Sequence, residues 1–296
     1  MRAHLCTDKD YWNKISLNGT LFHTFEWCML MTNLPHVLFY PYLIEYSGGE
    51  CILPVFEQAG IWSWSMLGYG GPSFSENHSL QFDELDLLMT EIQGSPTNRV
   101  ALPPNRTAFT NCDKEGWSSR ETHILNLPRR YEELWNSCSG KVRTSIRYAQ
   151  KNGVEISNLS DSDFRTFYSY YYDLMTRRGA EYVFSMDFIQ SAKSILNSKQ
   201  YLQLGAFLQG ELIAGSLFVM DDSCLYYWLH ASHTTGRRLN ASYLILQEAF
   251  RIAIDNSLST ADLGSSHTKD IAMPKEYWGA KATSCLIFQR PRRVSL

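Results

Sequence analysis

Hydrophobic positions along the chain switch repeatedly between a period of two and a period near 3.6, and the switches predict its elements. A helix over 25–32 is followed by two apolar runs, 37–46 and 51–57, joined at Ser47-Gly48-Gly49-Glu50 as a β-hairpin. Short strands are expected at 62–66, 98–102 and 121–127, with a helix at 79–92 whose Leu80, Leu85, Leu88 and Ile92 recur at helical spacing. Helical period then dominates. A helix at 131–138 precedes a basic one at 141–151, in which Val142, Ile146 and Ala149 form an apolar face and Arg143, Arg147 and Lys151 a positive stripe. Asn152-Gly153 supplies the left-handed stop that such a helix needs, and Val154-Glu155-Ile156 reads as a strand. A long helix at 163–178, capped by Ser160 or Asp161, and another at 185–196 lead to three runs at 202–208, 212–220 and 225–230. Turns at Gln209-Gly210 and Asp221-Asp222 make these an antiparallel meander. An amphipathic helix at 240–256, a strand at 260–264 and a last strand at 285–289 follow.

Composition narrows the class. With 296 residues, 44% hydrophobic and 14% aromatic, the chain can bury a full core in one large or two ordinary domains. A net charge of -3 excludes a surface that is basic all over, so any phosphate or nucleic-acid contact must come from local clusters. Three clusters qualify: Arg129-Arg130 with the basic helix, Arg237-Arg238, and Arg290, Arg292 and Arg293. The seven cysteines are scattered, without a Cys-x-x-Cys pair or a Cys/His ligand spacing. They read as reduced thiols of a cytosolic protein, and no metal site is implied. Residues 1–30 lack the features of a signal peptide and no apolar run reaches spanning length, so a cytoplasmic protein without a transmembrane segment is expected.

No low-complexity stretch separates the two halves, so the boundary near residue 127 is expected to be a compact junction. Four landmarks, taken in order, resemble the Fem family of aminoacyltransferases and related proteins with tandem acetyltransferase-like (GNAT) domains. They are Phe22-His23-Thr24-Phe25-Glu26-Trp27, Gly68-Tyr69-Gly70-Gly71-Pro72, the segment from Lys141 to Val154, and Asp262-Leu263-Gly264 ahead of Lys275-x-x-Trp278-Gly279. The resemblance implies an α+β protein of two acetyltransferase-like domains, residues 1–127 and 128–296, each a mixed and mostly antiparallel sheet flanked by helices, with substrate held in a cleft between them. The last strand is allowed to return to the first domain. In that family the acyl donor is an aminoacyl-tRNA or sometimes an acyl-CoA, and the acceptor is an amine of a peptide or nucleotide-linked compound. Peptidoglycan precursors and peptidyl nucleoside antibiotics are the models. The long antiparallel coiled-coil arm of some members is absent from this sequence.

Acyl transfer to an amine needs a route for the amine proton and stabilisation of the tetrahedral oxygen. Lys275 matches the family's lysine ahead of the aromatic-glycine pair and is the candidate for the oxyanion, placed in a loop at Pro274 near Trp278. The alternative is an exposed loop lysine. Asp262 is the candidate proton acceptor, against the alternative that it ties the following turn together. Arg143 and Arg147, one helical turn apart, can grip a diphosphate, and Tyr69, Tyr227, His230 and Trp278 are candidates to line the acceptor site. Acetyl-CoA enzymes of this fold place a glycine-containing loop before the helix that starts near 240. Here the loop reads Arg237-Arg238-Leu239-Asn240-Ala241-Ser242, without either glycine. This disfavours CoA and makes Arg237, Arg238 and Asn240 candidates for a tRNA donor.

The expected activity is therefore an N-acyltransferase using aminoacyl-tRNA, with no resident cofactor and no DNA partner. Two alternatives stand beside it: an acyl-CoA-dependent N-acetyltransferase of amino-sugar chemistry, and a non-catalytic nucleotide- or RNA-binding protein.

Overall fold

The computed structural model describes residues 2–46, 48–75, 99–104 and 115–289. The helix expected at 79–92, Cys112 and the arginines at 290, 292 and 293 lie outside them. The chain folds into two compact units, one of Met1–Glu121, Ser194–Leu196 and Thr283–Leu296, the other of Thr122–Lys193 and Asn197–Ala282. Each unit is a mixed, mostly antiparallel sheet with helices, in the manner of an acetyltransferase domain.

In the first unit the sheet runs β1 (Arg2–Leu5), β2 (Val37–Tyr46), β3 (Gly49–Gln58), β4 (Ile61–Ser63), β6 (Arg99–Ala101) and β13 (Lys281–Gln289), with β5 (Ser73–Phe74) off the path on β3. The β2–β3 hairpin is in register from Val37↔Gln58 to Tyr46↔Gly49, as the alternating apolar run predicts. Among the described residues two α-helices accompany it, α1 (Lys9–Ser16), capped by Asp8, and α2 (Phe25–Met31), capped by Thr24. Two landmarks pack on each other here. The Phe22 ring meets Trp27 edge-on at 4.9 Å and Tyr69 at 5.6 Å, while a Cβ added at Gly68 would lie 2.3 Å from the Phe22 ring. At Gly70 a Cβ would lie 1.9 Å from the Trp64 carbonyl oxygen, so only glycine lets the two backbones approach.

In the second unit the second half of β7 (Trp117–Asn126) pairs with β12 (Thr260–Ser265), and the order continues through β11 (Cys224–Ser232), β10 (Glu211–Met220), β9 (Tyr201–Leu208) and β8 (Val154–Asn158). The helices are α3 (Tyr131–Ser137), α4 (Gly140–Lys151), α5 (Asp161–Arg177), α6 (Met186–Ile195), α7 (Thr234–Arg238), α8 (Ala241–Asp255) and α9 (Lys269–Tyr277). The meander is antiparallel, as its turns predict. Val142, Ile146 and Ala149, the apolar face of α4, are fully buried in one core with Leu244, Ile245, Ala249, Phe250 and Ala253 of α8. No described helix is long and apolar enough to cross a membrane.

The segment expected as a loop around Pro274 is instead α9, with Pro274 inside it. Proline removes one N–H and opposes the carbonyl four residues back, so the sequence signal points away from helix. The actual helix begins after Thr268 and carries Lys275 in its last turn.

Candidate functional site

β11 and β12 run parallel, but their register partners end at Tyr226↔Asp262 while β11 continues to Ser232. The parallel register of the two strands ends there. From there on β12 turns into the loop that leads to α9, and Lys275 reaches back to that loop. Its Nζ donates to Gly264 O at 2.8 Å, Ser265 O at 3.0 Å and Ser266 Oγ at 3.1 Å. Partial burial lowers the Lys275 pKa to about 8, with Asp262 pulling the other way. The amine is thus poised between its charged and neutral forms near physiological pH.

Asp262 is 5% exposed, and its Oδ1 accepts from Gly264 N at 2.8 Å and from Thr122 Oγ1. Gly264 adopts φ +75°, a left-handed turn that the Asp262 carboxylate holds. The aspartate shapes the loop that Lys275 binds.

On β11, His230 is the register partner of Ser216. Its Nδ1 lies 2.9 Å from Ser216 Oγ and its Nε2 3.2 Å from Ser242 Oγ, at the start of α8. Burial pushes its pKa down to about 4, so the imidazole is neutral at ordinary pH. Tyr227 stacks on Phe218 at 5.3 Å, and burial raises its phenol well above the usual range. Both side chains sit on the strand that outlasts its pairing with β12.

Trp278, expected at the substrate, is placed in the core instead. It is 1% exposed and meets Phe250 edge-on at 5.0 Å, because the residue after α9 turns inward where the helix ends. Tyr69 belongs to the first unit and packs on Phe22.

The basic stripe of α4 divides. Arg143 turns its Nη1 onto the carbonyls of Trp135 at 3.1 Å and of Cys138, satisfying the C-terminal end of α3. Arg147 stays exposed, its guanidinium 5.6 Å from the Trp135 ring centre, beside a cavity of about 310 Å³ lined also by Tyr131, Gln150 and Gln247.

At the donor loop, Arg237 donates to Ser232 O at 2.7 Å and Thr234 Oγ1 at 3.0 Å. It lines a second cavity of about 420 Å³ with Tyr170, Arg177 and His233, into which Asp173 also faces. Arg238 is exposed. Asn240 takes a left-handed φ of +57° between α7 and α8, a conformation asparagine tolerates and a glycine loop would normally supply. His123 and Ser266, which meet each other and the Lys275 loop, are marked by no sequence pattern; a serine in a turn and a lone histidine on a strand carry no spacing signal. Among the described residues no group of three or more His, Cys, Asp or Glu is placed to hold a metal ion.

Residues 136–270 match the family model described as an acetyltransferase (GNAT) domain. Among solved structures, FemX aligns with a TM-score of 0.73 at 12% identity, over 98% of this chain and 98% of that one. The C-terminal domain of a putative lysylphosphatidylglycerol synthetase from Agrobacterium fabrum aligns at 0.59 with 12% identity, over 96% and 92%. A tandem GNAT protein from the clavulanic acid biosynthesis pathway aligns at 0.57 with 7% identity, over 98% and 99%. No curated protein matches the sequence. The fold is that of FemX and of tandem GNAT proteins.

Proposed function

We propose that the chain is an N-acyltransferase that moves an aminoacyl group from aminoacyl-tRNA to an amine of a peptide or nucleotide-linked acceptor. The observation that carries this reading is Lys275, held by two carbonyls at the end of β12, where β11 and β12 part in an acetyltransferase-like unit. An ammonium fixed in this way meets the negative oxygen of a tetrahedral intermediate when its contact to Ser266 gives way.

The donor loop supports tRNA. CoA binding in this fold uses close backbone approach to the pyrophosphate, and the two missing glycines deny it. Arg237 and Arg238 reach phosphates through side chains instead. The fold of FemX, and the name of the Agrobacterium neighbour, agree with aminoacyl chemistry. Incubation with charged tRNAs and candidate acceptors, read by mass spectrometry for the amide, is the direct test. Turnover of acetyl-CoA together with no product from any aminoacyl-tRNA overturns the donor.

An acyl-CoA donor is the second reading, favoured by the cavity of about 420 Å³ beside Arg237 and by the likeness to the tandem GNAT protein. Calorimetry with CoA decides it. Micromolar affinity, about -8 kcal/mol, would favour CoA.

A further inference from the structure

The turn after β12 holds a group that simple attack of an amine on the donor leaves unused. Ser266 Oγ lies 3.1 Å from Lys275 Nζ and 3.3 Å from His123 Nδ1. His123, 3% exposed on β7, presents its Nε2 to Glu276 Oε1 at 3.9 Å, an electrostatic contact longer than a hydrogen bond.

Counting hydrogens fixes the direction of the Lys275 contacts. A lysine ammonium has three N–H donors, and Lys275 has three acceptors: the Gly264 and Ser265 carbonyls, which can only accept, and Ser266 Oγ. Ser266 Oγ therefore accepts from Lys275, and with His123 in the tautomer that leaves Nδ1 bare its own hydrogen goes to that nitrogen. In that tautomer the histidine hydrogen is on Nε2, facing Glu276. Hydroxyl, imidazole and carboxylate in this order are the parts that turn a serine into a nucleophile, and the adjacent ammonium stabilises the alkoxide.

We propose that Ser266 carries the acyl group as a covalent ester between donor and acceptor, with His123 Nδ1 as its base. The proposal rests on the acyl-transfer reading above. Ser266 Oγ attacks the donor carbonyl carbon while its proton passes to His123. The bond from that carbon to the donor's leaving oxygen breaks, and His123 returns the proton to that oxygen. The acceptor amine then attacks the seryl ester. The amide C–N bond forms, the C–Oγ bond breaks, and an amine proton returns through His123 to Oγ. Nothing is oxidised or reduced.

The test uses p-nitrophenyl acetate with the full chain, an acid quench and peptide mass mapping. An acetyl ester on Ser266 is expected, lost in Ser266→Ala, slowed roughly a hundredfold in His123→Asn and converted to a thioester in Ser266→Cys. The adduct in the parent chain is decisive and needs no variant to fold. An unmodified Ser266 overturns the proposal. Amide formation from aminoacyl-tRNA at the parental rate in Ser266→Ala overturns it too, while leaving the proposed function in place. A seryl ester without amide product from any aminoacyl-tRNA supports the covalent step and removes only the tRNA donor.

Discussion

Ser216 and His230 are register partners across β10 and β11, and Ser216 Oγ sits 2.9 Å from His230 Nδ1. With Ser242 on the other nitrogen, the imidazole is held neutral, its pKa driven to about 4 by burial. The folded state thus binds the proton less readily than the unfolded chain, whose histidine titrates at about 6.5. The His230 contribution to stability is complete above about pH 6.5 and declines as pH falls toward about 4. Urea unfolding at several pH values is expected to show this loss, on the order of 2 kcal/mol, with a shallower slope in His230→Gln. An unchanged slope in the variant would assign the acid sensitivity to other groups.

Lys275 gives the opposite signature in activity. Its ammonium is complete well below pH 8 and is lost as pH rises through its pKa of about 8. A reaction that needs the charged amine therefore slows above that point. Lys275→Arg, charged throughout, is expected to flatten the fall, and Lys275→Ala to lower turnover about a hundredfold or more with acceptor affinity retained. The pH profile of kcat for amide formation checks all three.

Much of the second unit is legible in the sequence because period and turn residues agree. The β2–β3 hairpin of the first unit, the meander from Tyr201 to Ser232 and the buried face of α4 fall where apolar spacing, Gln209-Gly210 and Asn152-Gly153 put them. β1 and α1 leave no such signal. Arg2–Leu5 spans four residues, too few for a period of two to stand out, and α1 is short and polar on most of its surface. The site is harder to read, since spacing names residues without saying what each touches. Resemblance alone points to Lys275, whereas its helix is hidden by Pro274 and its partner Ser266 by having no pattern at all. Trp278 illustrates the converse: an aromatic beside a candidate lysine lies in the core because the chain reverses after α9.

Gly70 tests the first unit. A methyl group there would meet the Trp64 carbonyl oxygen at 1.9 Å, and backbone cannot yield as a flexible side chain can. Gly70→Ala is expected to cost several kcal/mol, about 3 or more. Thermal unfolding of the variant, or its failure to accumulate folded, checks this, while Gly60→Ala, with nothing within 4 Å but a φ of +79°, is expected to cost about 1 kcal/mol through backbone strain alone.

Arg143 and Arg147 occupy the same stripe of α4 but face different demands. Arg143 is half-buried and its Nη1 is committed to the carbonyls of Trp135 and Cys138 at the end of α3, contacts that would be lost if it were removed. Arg147 is exposed over Trp135, beside Gln150 and Gln247, and of the two it is the one free to meet an anion from solvent. Arg143→Ala is therefore expected to lose about 1–3 kcal/mol of stability with binding of uridine diphosphate unchanged. Arg147→Ala is expected to stay within about 0.5 kcal/mol in stability and to weaken that binding roughly tenfold. Denaturation and calorimetry on both variants separate the roles, and equal loss of affinity in the two would return the stripe to a single phosphate-gripping face.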